Sequence, residues 1–270
     1  MSTLTSTRES QAIVKKVYRA FFSPGRYEVK PAEQEVLDWG NNTRIPFDGG
    51  ELAVTTWGSS GPAVLLMHGW GGARAQMTGF VDPLLFAGYR VVAYDQPAHG
   101  ESDGKMTNLL EIAPSLDLIA EREGPFHAVV AHSFGTLITS YALVERDFPP
   151  PARLVYFGAF NRLLDSLPRF QVLARLPDEV MEGLRAMMYE NFARDVLEAI
   201  TNEALTPRIN IPVLMFHDAE DKVTPVEDSR AIARVWKQAQ FIELEGLGHR
   251  GALQSKSVHE QVVNFLKAKM

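Results

Sequence analysis

Short apolar runs recur along this chain, and between them apolar positions return every three or four residues. The runs Ala63 to Met67, Arg90 to Tyr94, Phe126 to Val130, Arg153 to Phe157, Ile211 to Phe216 and Gln240 to Leu244 predict buried strands. The intervening segments carry helical periodicity, and that alternation predicts an α/β fold, a mostly parallel central sheet with helices on both faces. Ahead of it, Thr43 to Phe47 and Glu51 to Trp57 flank the turn sequence Asp48-Gly49-Gly50, which predicts an antiparallel hairpin at the sheet edge. At the start of the chain, Ile13, Val14, Val17, Tyr18, Phe21 and Phe22 lie opposite Lys15, Lys16 and Arg19. They predict an amphipathic helix of about three turns that ends at Ser23-Pro24-Gly25, behind a loose, polar stretch from Ser2 to Ser10; packing on the body is the favoured reading, with a membrane-surface element or an organelle transit peptide as the alternatives.

The alternation breaks once. Between Gly158 and Arg208 about fifty residues read as several helices, too long for one crossover. Three parts follow: residues 1–40 as N-terminal helix and lead-in, 41–158 with 209–270 as the α/β core, and 159–208 as a helical insertion. Leu163, Leu164, Leu167, Phe170, Leu173, Met181, Leu184, Met187, Met188, Tyr189 and Phe192 make the insertion strongly apolar, so some of them line whatever cavity lies beneath it.

Composition narrows the class. With 270 residues and 46% hydrophobic content the chain can bury one full core. Its net charge of −6, with basic residues scattered, argues against a nucleic-acid surface. With 0 cysteines there is neither a disulfide framework nor a thiolate nucleophile. No run approaches the ~20 apolar residues of a membrane span, and no secretory signal opens the chain, so the expected location is the cytoplasm.

Chemistry enters at Ala131-His132-Ser133-Phe134-Gly135, where a strand run gives way to a helical one. A serine on such a turn is held in a strained conformation that needs small neighbours two residues to either side, here Ala131 and Gly135. The bland alternative is a serine that merely caps a helix. Asp221, after the run Ile211 to Phe216, and His249, after Gln240 to Leu244, leave the same carboxyl edge of the sheet. A seryl hydroxyl needs an adjacent imidazole to accept its proton, and the imidazole needs a carboxylate to orient it. Ser, Asp and His occur in the chain order of hydrolases with this architecture.

On these motifs the chain resembles the α/β-hydrolase fold superfamily in its serine esterase-like branch, from about Ile45 to the C-terminus. Met67-His68-Gly69-Trp70-Gly71-Gly72 resembles the family's oxyanion turn, and Asp95 to Ser102 its next loop. Ala131 departs from the glycine more usual there. The resemblance implies Ser133 as nucleophile, His249 as base and Asp221 as orienting acid, with the Asp221-x-Val223-x-Pro225 stretch favouring Asp221 over Asp218 and Glu220. An acid after the Arg153 to Phe157 strand is the fallback, with Asp165 nearby. The implied oxyanion donors are the backbone amides of Trp70 and Phe134, and the insertion would be a small helical cap.

His132, Met187 and Met188 are the candidate substrate-binding residues, His68 and His99 hold loops, and His127, His217 and His259 read as structural or solvent-facing. No cofactor is implied: the paired histidines of a hydrolytic zinc site and a complete dinucleotide fingerprint are both missing. The expected reaction is hydrolysis of a carboxylic ester or thioester of a small to medium apolar molecule. A serine at 133 argues against dehalogenase and epoxide hydrolase branches, whose nucleophile is a carboxylate. The same three residues also serve carbon-carbon bond hydrolysis, perhydrolysis of the haloperoxidase type or acyl transfer, and the fold hosts non-catalytic binding proteins.

Overall fold

A computed structural model of the protein describes residues 2–268. Helix α1 (Ser2–Phe21) and the short α2 (Pro31–Asp38) precede the hairpin β1 (Asn41–Phe47) and β2 (Gly50–Trp57). The core then runs β3 (Ala63–Met67), α3 (Val81–Phe86), β4 (Arg90–Tyr94), α4 (Leu109–Glu123), β5 (Phe126–His132), α5 (Phe134–Glu145) and β6 (Arg153–Phe157). Between β6 and β7 lie α6 (Leu167–Ala174), α7 (Asp178–Phe192), α8 (Arg194–Ala199) and α9 (Asn202–Leu205). The chain closes with β7 (Val213–Asp218), α10 (Val226–Val235), β8 (Ala239–Leu244), the single turn α11 (Gly248–Gly251) and α12 (Lys256–Lys267).

The eight strands form one sheet in the order β1-β2-β4-β3-β5-β6-β7-β8, antiparallel among β1, β2 and β4 and parallel from there onward. Side-chain alternation along β3 shows how the two cores divide. Ala63, Leu65 and Met67 face the layer of α4 and α5, with Ile112, Leu116, Leu137 and Ile138. Val64 and Leu66 face the opposite layer of α3 and α12, with Leu84, Val258 and Val262. Because both faces are covered, the strand reads as a continuous apolar run and every residue of it is buried.

The strand positions agree with the sequence pattern to within a few residues, but the polar N-terminus differs: α1 begins at Ser2 rather than following a loose stretch. It is anchored from its second half, where Val17 and Phe22 share an apolar cluster with Leu167, Met181, Leu184 and Met188. Gly183 permits the contact, since a Cβ there would lie 2.6 Å from Val14 Cγ2. Among the described residues no helix is long and apolar enough to cross a membrane.

Candidate active site

The register of the parallel strands aligns three strand ends at one edge. His132 pairs with Phe157 and Phe157 with Phe216, so the carboxyl ends of β5, β6 and β7 lie side by side. Ser133 stands between β5 and α5 with φ 52° and ψ −123°, a left-handed backbone that costs on the order of 1–3 kcal/mol and persists only where its surroundings enforce it. They do so here. The Ser133 amide donates to Phe157 O at 2.8 Å, and a Cβ on Gly135 would lie 2.6 Å from His68 O. The Ser133 side chain makes no capping hydrogen bond to α5, so its hydroxyl is not spent on the helix.

Asp221 and His249 meet directly, with His249 Nδ1 donating to Asp221 Oδ2 at 2.7 Å. The other carboxylate oxygen accepts the amides of Val223 at 2.7 Å and Thr224 at 3.0 Å. Burial pushes the Asp221 carboxyl up, but the hydrogen bonds from His217 and His249 outweigh it and hold it well below the usual carboxylate range. Gly158, at φ 52°, follows the strand that holds Ser133. A Cβ there would come within 3.5 Å of Asp221 Oδ2 and of His249 Cε1 and Nδ1, so the end of β6 touches both the serine turn and the Asp221–His249 pair.

Neighbouring carboxylates take other work. Asp218 accepts the amides of Glu220 at 2.9 Å and Leu247 at 2.7 Å, bracing the loops before Asp221 and His249. Asp165 is half-exposed and lies 4.0 Å from Arg162 Nε. Gly69 packs on the serine turn, since a Cβ on it would lie 2.8 Å from Ser133 Cβ. Among the described residues the amides of Trp70 and Phe134 have no backbone acceptor. The Trp70 and Phe134 rings meet edge to face at 5.6 Å, and Phe134 meets Phe160 at 5.5 Å.

The histidines divide sharply. His68 takes the Gln96 amide on Nε2 at 3.0 Å, His99 Nδ1 lies 2.9 Å from Pro97 O, and burial lowers their pKa values to about 4 and about 3. His132, a candidate substrate-binding residue directly before Ser133, is buried. Its Nε2 donates to His249 O at 2.9 Å and its ring lies 4.6 Å from that of His249; burial first, then His249, lowers its pKa to about 3.

His217 is the residue the sequence pattern hides. It is fully buried, with Nδ1 2.7 Å from Ser229 Oγ and Nε2 donating to Thr224 O at 2.9 Å and lying 3.3 Å from Asp221 Oδ2. Its place four residues before Asp221 was the available signal, but strand β7 ends between them and only the turn that follows brings the ring back. Met188 is fully buried in the cluster that joins α1 to α7. Met187 is half-buried one position earlier on the same helix and lines neither of the two crevices near α1.

Comparison with known proteins agrees with this architecture. The alpha/beta hydrolase family profile matches residues 63–264. A pyrrolizixenacetamide deacetylase of Xenorhabdus hominickii is 26% identical over 77% of this chain and 90% of its own length. A bifunctional esterase/perhydrolase of Acinetobacter calcoaceticus is 24% identical over 82% and 98%. Among solved structures, the Pyrococcus furiosus esterase Pf2001 superposes with a TM-score of 0.67 at 20% identity, covering 91% of this chain and 96% of that one, a likeness of fold. With the family match spanning most of its length, the chain belongs to the alpha/beta hydrolase family.

Proposed function

We propose that the protein hydrolyses carboxylic esters of small to medium apolar acids through an acyl-enzyme on Ser133. The observation that carries this reading is the 2.7 Å Asp221–His249 pair lying against Gly158, while Phe157, one residue earlier, holds the strained Ser133 turn. His249 takes the seryl proton as Ser133 Oγ bonds to the ester carbonyl carbon, and Asp221 fixes the ring with Nδ1–H toward the carboxylate. The carbonyl oxygen gains negative charge and accepts from the Trp70 and Phe134 amides. His249 then gives its proton to the departing alkoxide, which leaves as the alcohol. Water repeats the sequence on the acyl-enzyme, releasing the acid and restoring Ser133.

In the same reading, the insertion forms a small cap above this edge. It is tied to the core where Arg169 donates to Lys222 O beside Asp221, and where the Asn161 amide donates to Asp228 at 3.2 Å. The test is the hydrolysis of p-nitrophenyl esters from two to twelve acyl carbons. An optimum at short to medium chains is expected; no turnover, with Ser133 unmodified by a fluorophosphonate, would return the chain to the non-catalytic binding members of the fold.

A further inference from the structure

We infer that the two proposed oxyanion donors are aimed from behind: His68 orients the Trp70 N–H and Thr136 orients the Phe134 N–H, each through a hydrogen bond to the carbonyl of the same peptide group. The inference rests on the esterase reading of Ser133 and adds two positioning residues to it.

A trans peptide unit is planar, with its C=O and N–H pointing in opposite directions. Whatever fixes the carbonyl therefore fixes the amide. The Trp70 N–H shares its unit with Gly69 O, the Phe134 N–H shares its unit with Ser133 O, and both units are trans.

Gly69 has no side chain to hold its unit, and its carbonyl is gripped by two donors instead. The Gly72 amide donates to Gly69 O at 3.0 Å and His68 Nδ1 donates to it at 2.8 Å. The second bond needs a proton on Nδ1, and the Gln96 main chain puts it there. Its N–H donates to His68 Nε2 at 3.0 Å, so that nitrogen must carry the lone pair. Burial keeps the ring neutral, with its pKa lowered to about 4. Gln96 Nε2 also donates to His68 O at 2.6 Å, which anchors the peptide unit ahead of Gly69.

Ser133 O is held in the same way. It accepts the Thr136 amide at 2.9 Å and the Thr136 hydroxyl at 2.7 Å. The amide bond belongs to the first turn of α5 and asks for no particular side chain, whereas the hydroxyl bond needs threonine or serine. That hydroxyl in turn accepts the Phe160 amide and Asn202 Nδ2, each at 3.2 Å, which leaves its one proton for Ser133 O. Thr136 and Asn202 are both fully buried, so water does not compete for these bonds. Phe160 lies just beyond β6 and Asn202 opens α9, so both ends of the segment between β6 and β7 bear on the serine turn through Thr136.

The first test uses the native protein. Two-bond proton–nitrogen correlation spectra at pH 7 should show the His68 ring protonated at Nδ1; a proton on Nε2 would overturn the inference for His68 whatever the enzyme's activity. The second test uses p-nitrophenyl butyrate. Removing an oxyanion donor costs about 100-fold or more in kcat, so a donor left in place but misaimed should cost about tenfold. Thr136→Val, which keeps the shape and loses the hydroxyl, should lower kcat by that factor with KM unchanged, and Thr136→Ser should recover most of it. His68→Ala should behave like Thr136→Val, and His68→Asn, whose side-chain amide can take the place of Nδ1, should recover part. Should Thr136→Val not fold, Asn202→Asp is the second variant: its carboxylate draws the hydroxyl proton away from Ser133 O and should lower kcat in the same way.

Affinity for an alkyl trifluoromethyl ketone separates aiming from packing. Ser133 Oγ adds to the ketone carbon and His249 takes the seryl proton, which leaves a tetrahedral oxyanion between the two amides. That affinity should fall by the same factor as kcat in each variant. Full kcat in Thr136→Val or His68→Ala, or a lowered kcat with ketone affinity unchanged, would overturn the inference and leave the esterase reading standing. Native protein that neither turns over the ester nor takes a fluorophosphonate on Ser133 would instead overturn the esterase reading, and this inference with it.

Discussion

At the scale of single residues, Asp221 is held by more than its histidine partner. Its Oδ2 lies between His249 Nδ1 at 2.7 Å and His217 Nε2 at 3.3 Å, and its Oδ1 takes two backbone amides. A carboxylate so fully engaged cannot rotate away from His249. On the proposed mechanism His217 is a positioning residue, acting through Asp221. His217→Ala should lower kcat about tenfold, within the range seen when groups that orient a reacting side chain are removed, with KM little changed. His217→Gln, which can place an N–H near the same oxygen, should recover part of the loss and return the pH profile of kcat/KM toward the native one. If His217→Ala matches the native enzyme in kcat and in pH profile, His217 is packing alone.

At the scale of elements, α1 is held by a gap in α7. Glycine in the middle of a helix normally costs about 1 kcal/mol relative to alanine, so propensity alone says Gly183→Ala should stabilise. Here the added Cβ would lie 2.6 Å from Val14 Cγ2, and a β-branched side chain has little freedom to retreat. The steric term should win: Gly183→Ala is expected to lower the thermal midpoint by a few degrees, the response to about 1 kcal/mol in a chain of this size. A raised midpoint would mean that α1 packs less closely than this. The amphipathic stripe from Ile13 to Phe22 made the helix legible in sequence, because periodicity depends only on the segment itself. Its partner was not legible, since Gly183 carries no pattern and its value lies in what it leaves out. His132 and His217 were obscure for a similar reason: each ring's work is set by a strand end or turn from elsewhere in the chain. The strands and the order of Ser133, Asp221 and His249 were readable because each follows from a local run and the handedness of parallel crossovers.

At the scale of the whole molecule, buried neutral histidines set the response to acid. Burial lowers His68 to about 4, and His99 and His132 to about 3, whereas an unfolded histidine titrates near 6.5. Below that value the unfolded chain takes up protons that the folded chain refuses. Each group's contribution is therefore complete above about pH 6.5 and is lost as pH falls toward the folded values. Together the three remove up to about 4 kcal/mol per pH unit below pH 6, a large part of the 5–15 kcal/mol that typically holds a domain folded. Urea midpoints measured from pH 7 to pH 4.5 should fall steeply below 6. A flat profile would show that these rings are hydrated in solution.

Ser133 combines backbone strain, a side chain that does not cap α5 and a neighbouring Asp221–His249 pair, and the proposal that it is the nucleophile rests on that combination. The most direct measurement is intact-protein mass after brief exposure to a fluorophosphonate, run on the native protein and on Ser133→Ala beside p-nitrophenyl butyrate turnover. The native protein should gain one phosphonyl adduct, mapped to Ser133, and lose turnover in proportion, while Ser133→Ala should show neither adduct nor turnover. Turnover that persists in Ser133→Ala, or an adduct on another residue, would contradict the assignment.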